Sequence, residues 1–316
     1  MRIVALIPGG VGEQVLFFPT LDGLKQAYPH AQIDVVVEPT AKAAYQVSKS
    51  VNNAIAFEFE SRNSLADWGN LLGNIREREY EVAVFPGQNW TVSFLLWLAG
   101  IPTRIGYEGT PGANFFTHTV PRNTNQYGAT AYYDLLKSLN FQAPCPALAV
   151  SIPVKDLDWA DAERKRLGIG QAGYVLVYGS ADATNNGKTY PVESWNGIIQ
   201  DFQQKQPDLM LVVVKDEDNA TLVDALVKLN PSLKVTQPDT TGKLAAIIGG
   251  ANLMLCTDSA PMQLAVAVQT YTLALFGDNE PKKMLPESNR FIGIKSLSGK
   301  MADIAPQTVL EKVWGG

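Results

Sequence analysis

The sequence predicts an α/β protein built from two Rossmann-like domains that face each other across a cleft. Three observations carry this expectation. Short β-branched runs alternate with helix-period segments along the whole chain, the pattern restarts after a proline-rich stretch, and 316 residues suffice for two separate cores.

In the first half, strands are expected at residues 3–7, 33–37, 54–59, 82–85 and 104–107, each followed by a turn signal or a helix. Five parallel strands make one sheet with helical crossovers. Residues 143–153 carry three prolines and almost no charge, so they read as an extended connector, with the domain boundary at 150/151. The second half opens with a charged helix over residues 157–167. Strands follow at 174–178, 210–214, 233–235, 253–256 and 272–276, and residues 306–314 form a closing helix that begins on a proline. Ligands of such folds settle beyond the carboxyl ends of the strands, so function is sought in the loops that follow them.

Composition excludes several classes. With 26 Lys and Arg against 31 Asp and Glu, a net charge of −5 and no basic cluster, no nucleic-acid partner is expected. Two histidines and two cysteines, Cys145 and Cys256, supply no zinc-ligand spacing, and a buried, reduced Cys256 fits a reducing cytoplasm. The apolar N-terminus is interrupted by Pro8-Gly9-Gly10 before it takes signal-peptide form. Residues 92–101, the longest apolar stretch, are too short to span a bilayer, so a soluble chain is expected, one that can still work at a membrane surface. Residues 90–97 read as a buried helix in preference to a membrane-touching patch.

Three loops concentrate chemistry. Pro8 through Gln14 lies between the first strand and an apolar helix, but its glycines miss the dinucleotide spacing because Val15 stands where the third glycine belongs. Those glycines suit a tight turn. Glu13, in the first turn of that helix, is either a residue favoured there by the helix dipole or a carboxylate able to take a proton from a substrate hydroxyl. The second loop runs from Tyr178 to Pro191 and is rich in small polar residues. Its single cation, Lys188, is either a solvated lysine or a point charge suited to phosphate. In the third, Cys256-Thr257-Asp258-Ser259-Ala260 joins an apolar strand to a small-residue helix. Asp258 or Ser259 either caps that helix or leaves its first N–H groups free to hold a diphosphate.

Together these elements resemble glycosyltransferase family 9, the family of the lipopolysaccharide heptosyltransferases. The resemblance covers nearly the whole chain. It rests on Gly12-Glu13, Pro19, Leu24-Lys25 and Tyr28-Pro29, then on Arg104-Ile105-Gly106-Tyr107. Further on it rests on Lys188-Thr189-Tyr190-Pro191-Val192-Glu193-Ser194-Trp195 and on Thr257-Asp258-Ser259 through Leu275-Phe276-Gly277.

The resemblance implies the GT-B arrangement, with residues 1–150 on the acceptor side and 151–316 binding the nucleotide sugar. It implies an inverting, metal-independent transfer of a heptose-like sugar from a nucleotide-diphosphate donor to a glycan or glycolipid of the cell envelope, without a cofactor. A cytoplasmic monomer is expected, in peripheral contact with the inner face of the inner membrane. By the same carry-over Glu13 is the general base, and Lys188 contacts the diphosphate. Thr184 lies in the loop that touches the phosphates, Gly12 belongs to the donor-binding set, and Asp258, Ser259 and Ala260 match the Asp-Thr-Gly at the phosphate-binding helix start. The chain departs from the family in Glu13 for aspartate, Ala260 for glycine and Gln263 for histidine, and no residue of Asp216-Glu217-Asp218-Asn219 is singled out as the ribose carboxylate. These departures keep a second expectation open, a catalytically inactive relative acting as a binding or scaffold protein.

Overall fold

The computed structural model describes residues 1–59, 61–180 and 189–315. The chain divides into two compact units, Met1–Ser151 and Ile152–Gly316.

The first unit runs β1 (Arg2–Ile7), α1 (Val11–Ala27), β2 (Gln32–Val37), β3 (Asn53–Ala56), α2 (Leu65–Glu77), β4 (Val82–Val84), α3 (Trp90–Leu98), β5 (Thr103–Tyr107), β6 (His118–Val120) and α4 (Gly128–Tyr133). Its six strands form one parallel sheet in the order β3-β2-β1-β4-β5-β6. The register sets Ile3 beside Ile33 on one side and Val82 on the other. A central strand with both faces covered has no solvent side, so β1 reads as an uninterrupted apolar run, and residues 3–7 are all buried.

The second unit repeats the plan with α5 (Val154–Leu167), β7 (Tyr174–Tyr178), α6 (Val192–Lys205), β8 (Met210–Val214), α7 (Ala220–Leu229), β9 (Lys234–Thr236), α8 (Thr241–Gly249), β10 (Leu253–Thr257), α9 (Ala260–Ala267), β11 (Thr272–Phe276), α10 (Pro281–Met284), β12 (Phe291–Lys295) and α11 (Pro306–Trp314). The strand order is β12-β11-β10-β7-β8-β9, again all parallel. Tyr190 and Trp195 meet edge to face, ring centres 5.2 Å apart, in the core of this unit. That contact, worth about 1 kcal/mol beyond burial, anchors the start of α6.

Three details differ from the sequence expectation. Each sheet has a sixth strand: β6 is only three residues, and β12 is interrupted by Gly293. β3 stops at Ala56 because the Glu38 carboxylate accepts from the Phe59 N–H at 2.7 Å and Phe57 turns onto Trp68, ring centres 4.9 Å apart. Residues 90–97 are not a buried helix: α3 buries Val92, Leu95 and Leu96, while Trp90 and Trp97 are 55% and 49% exposed.

Candidate functional site

In the first unit the chain runs outward from β1 to β3 and then resumes at β4 on the opposite side of β1. The switch point of such a sheet opens a crevice beyond its carboxyl ends, and the loop from Pro8 to Gly10 lies there. Gly9 adopts φ +99°, a left-handed conformation that favours glycine. A β-carbon on Gly9 would stand 3.0 Å from Glu13 Cγ, and one on Gly10 would stand 3.7 Å from Glu13 Oε2. The Glu13 side chain is therefore folded back over the glycine loop, with Gly12 beside it in the first turn of α1.

What holds this loop is a residue that the sequence reading missed. Gln14 is fully buried; its Nε2 donates to the carbonyls of Ile7 and Gly9, both at 3.0 Å, and its Oε1 accepts from the Tyr45 hydroxyl at 2.7 Å. One amide thus ties the end of β1 to the glycine turn. The available signal is a polar residue leading the apolar run Val15-Leu16-Phe17. One turn further along α1, Phe17 packs on Tyr132 of α4, ring centres 5.4 Å apart. Burial raises the Tyr132 pKa, the negative charge of Glu13 raises it further, and Arg122 opposes both. Arg122 in turn sits 5.5 Å above the Tyr107 ring.

In the second unit the switch point lies between β7 and β10. Thr257, at the end of β10, is buried, and its hydroxyl accepts from the Ser180 N–H at 2.9 Å, which ties the loop after β7 to the loop after β10. Asp258 accepts from Asn279 Nδ2 at 2.6 Å. Ser259 is the N-cap of α9 in extended geometry, yet its hydroxyl donates backward to the Thr257 carbonyl at 2.9 Å and makes no capping bond. Side-chain capping by Ser259 is therefore not what the structure shows. Since Pro261 has no N–H, Ala260 and Met262 carry the first-turn donors. Gln263 is bonded at one end only: its Nε2 donates to the Met284 carbonyl at 2.9 Å, fastening α10, while its buried Oε1 has no partner among the described residues.

Asp258, Ser259, Ala260 and Gln263 thus gather at one strand–helix junction, and Gly12 and Glu13 gather at the matching junction of the other unit. Thr184 and Lys188 lie outside the described residues. Asp216 is occupied by the Tyr178 hydroxyl at 2.8 Å and the Asn219 N–H at 3.0 Å, while Glu217 and Asp218 are exposed. Burial raises the Asp216 pKa, an effect those bonds partly offset. Among the described residues no group of three His, Cys, Asp or Glu side chains could hold a metal ion, and no helix is long and apolar enough to cross a membrane.

The sequence pattern of glycosyltransferase family 9 (heptosyltransferase) matches residues 68–314. The chain belongs to this family. It is similar to the lipopolysaccharide heptosyltransferase 3 of Escherichia coli, 23% identical over 89% of this chain and 85% of that protein. It is also similar to the photosynthetic NDH subunit of subcomplex B 1 from the chloroplast of Arabidopsis thaliana, 25% identical over 98% of this chain and 72% of that protein. Among solved structures, the glycosyl transferase family 9 protein from Veillonella parvula DSM 2008 matches its fold with a TM-score of 0.86, at 18% identity over 99% of this chain and 96% of that one. For this family 9 chain, the two junctions fall where phosphate and hydroxyl chemistry is sited in α/β sheets.

Proposed function

We propose that this chain is an inverting, metal-independent glycosyltransferase that moves a heptose-like sugar from a nucleotide-diphosphate donor to a glycan or glycolipid of the cell envelope. It works in the cytoplasm, at the inner face of the inner membrane, as a monomer. Glu13 takes the proton of the acceptor hydroxyl, whose oxygen attacks the anomeric carbon as the nucleoside diphosphate departs. Lys188, Thr184 and the first turn of α9 at Asp258, Ser259 and Ala260 meet the charge that develops on the leaving diphosphate. Gly12 and Gln263 complete the donor-binding set.

The observation that carries this reading is the placement of Glu13, folded over a glycine loop at a sheet switch point in a chain of this family. Calorimetric titration with nucleoside diphosphates and their sugars tests the donor half without knowledge of the acceptor. Removing a positioned base costs roughly 10²–10⁴ in rate, so E13Q should keep donor affinity and lose turnover by that factor. Full turnover in E13Q refutes the assignment.

A second reading is favoured by one specific finding. A relative similar over nearly the whole chain is a subunit of a photosynthetic complex, which fits a binding or scaffold role for a chain that carries Ala260 and Gln263. Donor binding with neither hydrolysis nor transfer supports that role.

A further inference from the structure

Glu13 and Phe17 stand one turn apart on the same face of α1. The ring of Tyr132, on α4, lies 5.4 Å from that of Phe17, and the next residue, Tyr133, fills the space that Gly23 leaves on α1, where a β-carbon would meet it at 2.7 Å. Two successive tyrosines thus seat α4 along α1. The Tyr107 hydroxyl, at the end of β5, donates to the Ala131 carbonyl at 2.7 Å and fastens α4 from the sheet side. With its ring fixed at Phe17, Tyr132 lies close enough for the Glu13 charge to act on its phenol.

The polar ends of both groups are free. Among the described residues neither the Glu13 carboxylate nor the Tyr132 hydroxyl has a hydrogen-bond or ion-pair partner; Glu13 is exposed and Tyr132 is half-buried. Burial and the negative charge of Glu13 both hold the proton on the phenol, and Arg122 opposes them only in part. Tyr132 is therefore a hydrogen-bond donor at neutral pH, set beside a proton acceptor. A substrate hydroxyl offers one proton and two lone pairs. Where a base takes the proton and one lone pair attacks, the second lone pair is left for a neutral donor standing beside that base.

We propose that the Tyr132 hydroxyl donates to the oxygen of the acceptor hydroxyl that Glu13 deprotonates, and so selects which hydroxyl reacts. This rests on the reading of Glu13 as the base. In the step the acceptor O–H bond breaks and its proton passes to Glu13, while the oxygen bonds to the anomeric carbon. The bond from that carbon to the diphosphate breaks, and its electron pair leaves on the nucleoside diphosphate. Tyr132 keeps its own proton throughout. Its hydrogen bond fixes the rotation of the acceptor hydroxyl, so that the proton faces Glu13 and a lone pair is free for attack.

Kinetics of the Y132F variant test it, with nucleoside-diphosphate hexoses and heptoses as donor probes and methyl hexosides and methyl heptosides as acceptor probes. The substitution removes one oxygen and keeps the ring against Phe17. Losing one hydrogen bond to the acceptor should lower kcat/KM for the glycoside roughly 3–10-fold and spread the transferred sugar over more than one of its hydroxyls, with melting and calorimetric donor affinity unchanged. Where only hydrolysis is seen, water is the acceptor and the same loss should appear in its rate. F17L loosens the ring contact but retains the phenol, so it should lower the melting midpoint and keep a single linkage; a product spread equal to that of Y132F assigns the effect to packing and overturns the proposal. Unchanged kcat/KM and linkage in Y132F, while E13Q has lost turnover, overturn it and leave the reading of Glu13 intact. Neither transfer nor hydrolysis of any probe by the unaltered protein, or full turnover in E13Q, overturns both. If Y132F fails to fold, 3-fluorotyrosine at position 132, a stronger donor on the same ring, should change kcat/KM for the glycoside, and an unchanged value overturns the proposal.

Discussion

Gln14 offers the sharpest test of how the glycine loop is held. Its amide makes three buried hydrogen bonds, to the carbonyls of Ile7 and Gly9 and from the Tyr45 hydroxyl. Gln14→Met keeps the length and volume of the side chain and removes all three. At about 0.5–1.5 kcal/mol per net bond, with the stranded Tyr45 hydroxyl adding to the cost, the loss is roughly 2–4 kcal/mol. Tyr45→Phe alone removes one bond and leaves one acceptor unmet, costing about 1–2 kcal/mol. In the double variant the phenol is absent when the amide is, so the two costs should fall short of their sum by about 1 kcal/mol. Because the chain has two units, a global melting curve mixes two transitions. Urea unfolding read by hydrogen exchange at peptides from β1 and α1 reports the first unit alone. A cost below about 0.5 kcal/mol for Gln14→Met, or strict additivity in the cycle, refutes the claim that this amide sets the loop. If the claim holds, Gln14→Met also lowers turnover more than donor affinity, since it releases the turn over which Glu13 is folded.

Gly23 on α1 has no room for a methyl: a β-carbon there would meet Leu136 and Tyr133 at 2.7 Å. Helix propensity alone predicts that Gly23→Ala stabilises by up to about 1 kcal/mol, but overpacking of about 1–3 kcal/mol should win, and urea unfolding of the first unit measures the sign. Asp216 tests electrostatics in the second unit. Burial raises its folded pKa above the unfolded 3.8, so the folded state holds the proton longer than the unfolded one. Stability of the second unit should therefore fall as pH rises from about 3.8 through the raised value and then level off, the opposite of the usual carboxylate. Asp216→Asn should remove that slope in a pH series of urea midpoints, and an unchanged slope assigns it to other groups.

Much of the fold is legible in the chain because central parallel strands are buried on both faces and announce themselves as continuous apolar runs. Residues 174–178, 210–214 and 272–276 are strands in the structure with those same limits. The edges are less legible. β6 is paired only with β5, through three residues, and its polarity gives no period to read. Phe57 and Phe59 extend an apolar pattern past the point where Glu38 ends the strand. At the site, sequence order marks both strand–helix junctions but not what holds them. The partner of Gln14 is 31 residues away and that of Asp216 is 38 residues away. Such pairings exist only once the chain is folded, and the same is true of the exposure of Trp90 and Trp97, since an apolar helix gives no sign of which face will be left uncovered.

The two readings of function make different demands on local structure. A chain kept only for its outer surface gains from satisfied polar groups at every helix start, yet α9 begins on a serine, among the best capping residues, whose hydroxyl is turned back to the Thr257 carbonyl. Where α5 and α6 begin, the N-cap is a proline and no side-chain cap is available to be withheld. At α9, as at α7 where the N-cap Asn219 likewise makes no capping bond, a competent cap is present and unused, which forgoes about 1 kcal/mol. Among the described residues the buried Oε1 of Gln263, in the same helix, has no partner, an unmet demand of about 1–3 kcal/mol that it shares with Thr20, Ser93, Tyr127, Tyr133 and Trp195 elsewhere in the chain. At the equivalent place in the other unit Gly9 lies at positive φ beneath Glu13, a conformation that glycine adopts without strain. A cap hydroxyl turned away from the first turn of α9 suits a chain that holds a ligand there, and turnover of bound donor is the measurement on which transferase and scaffold part.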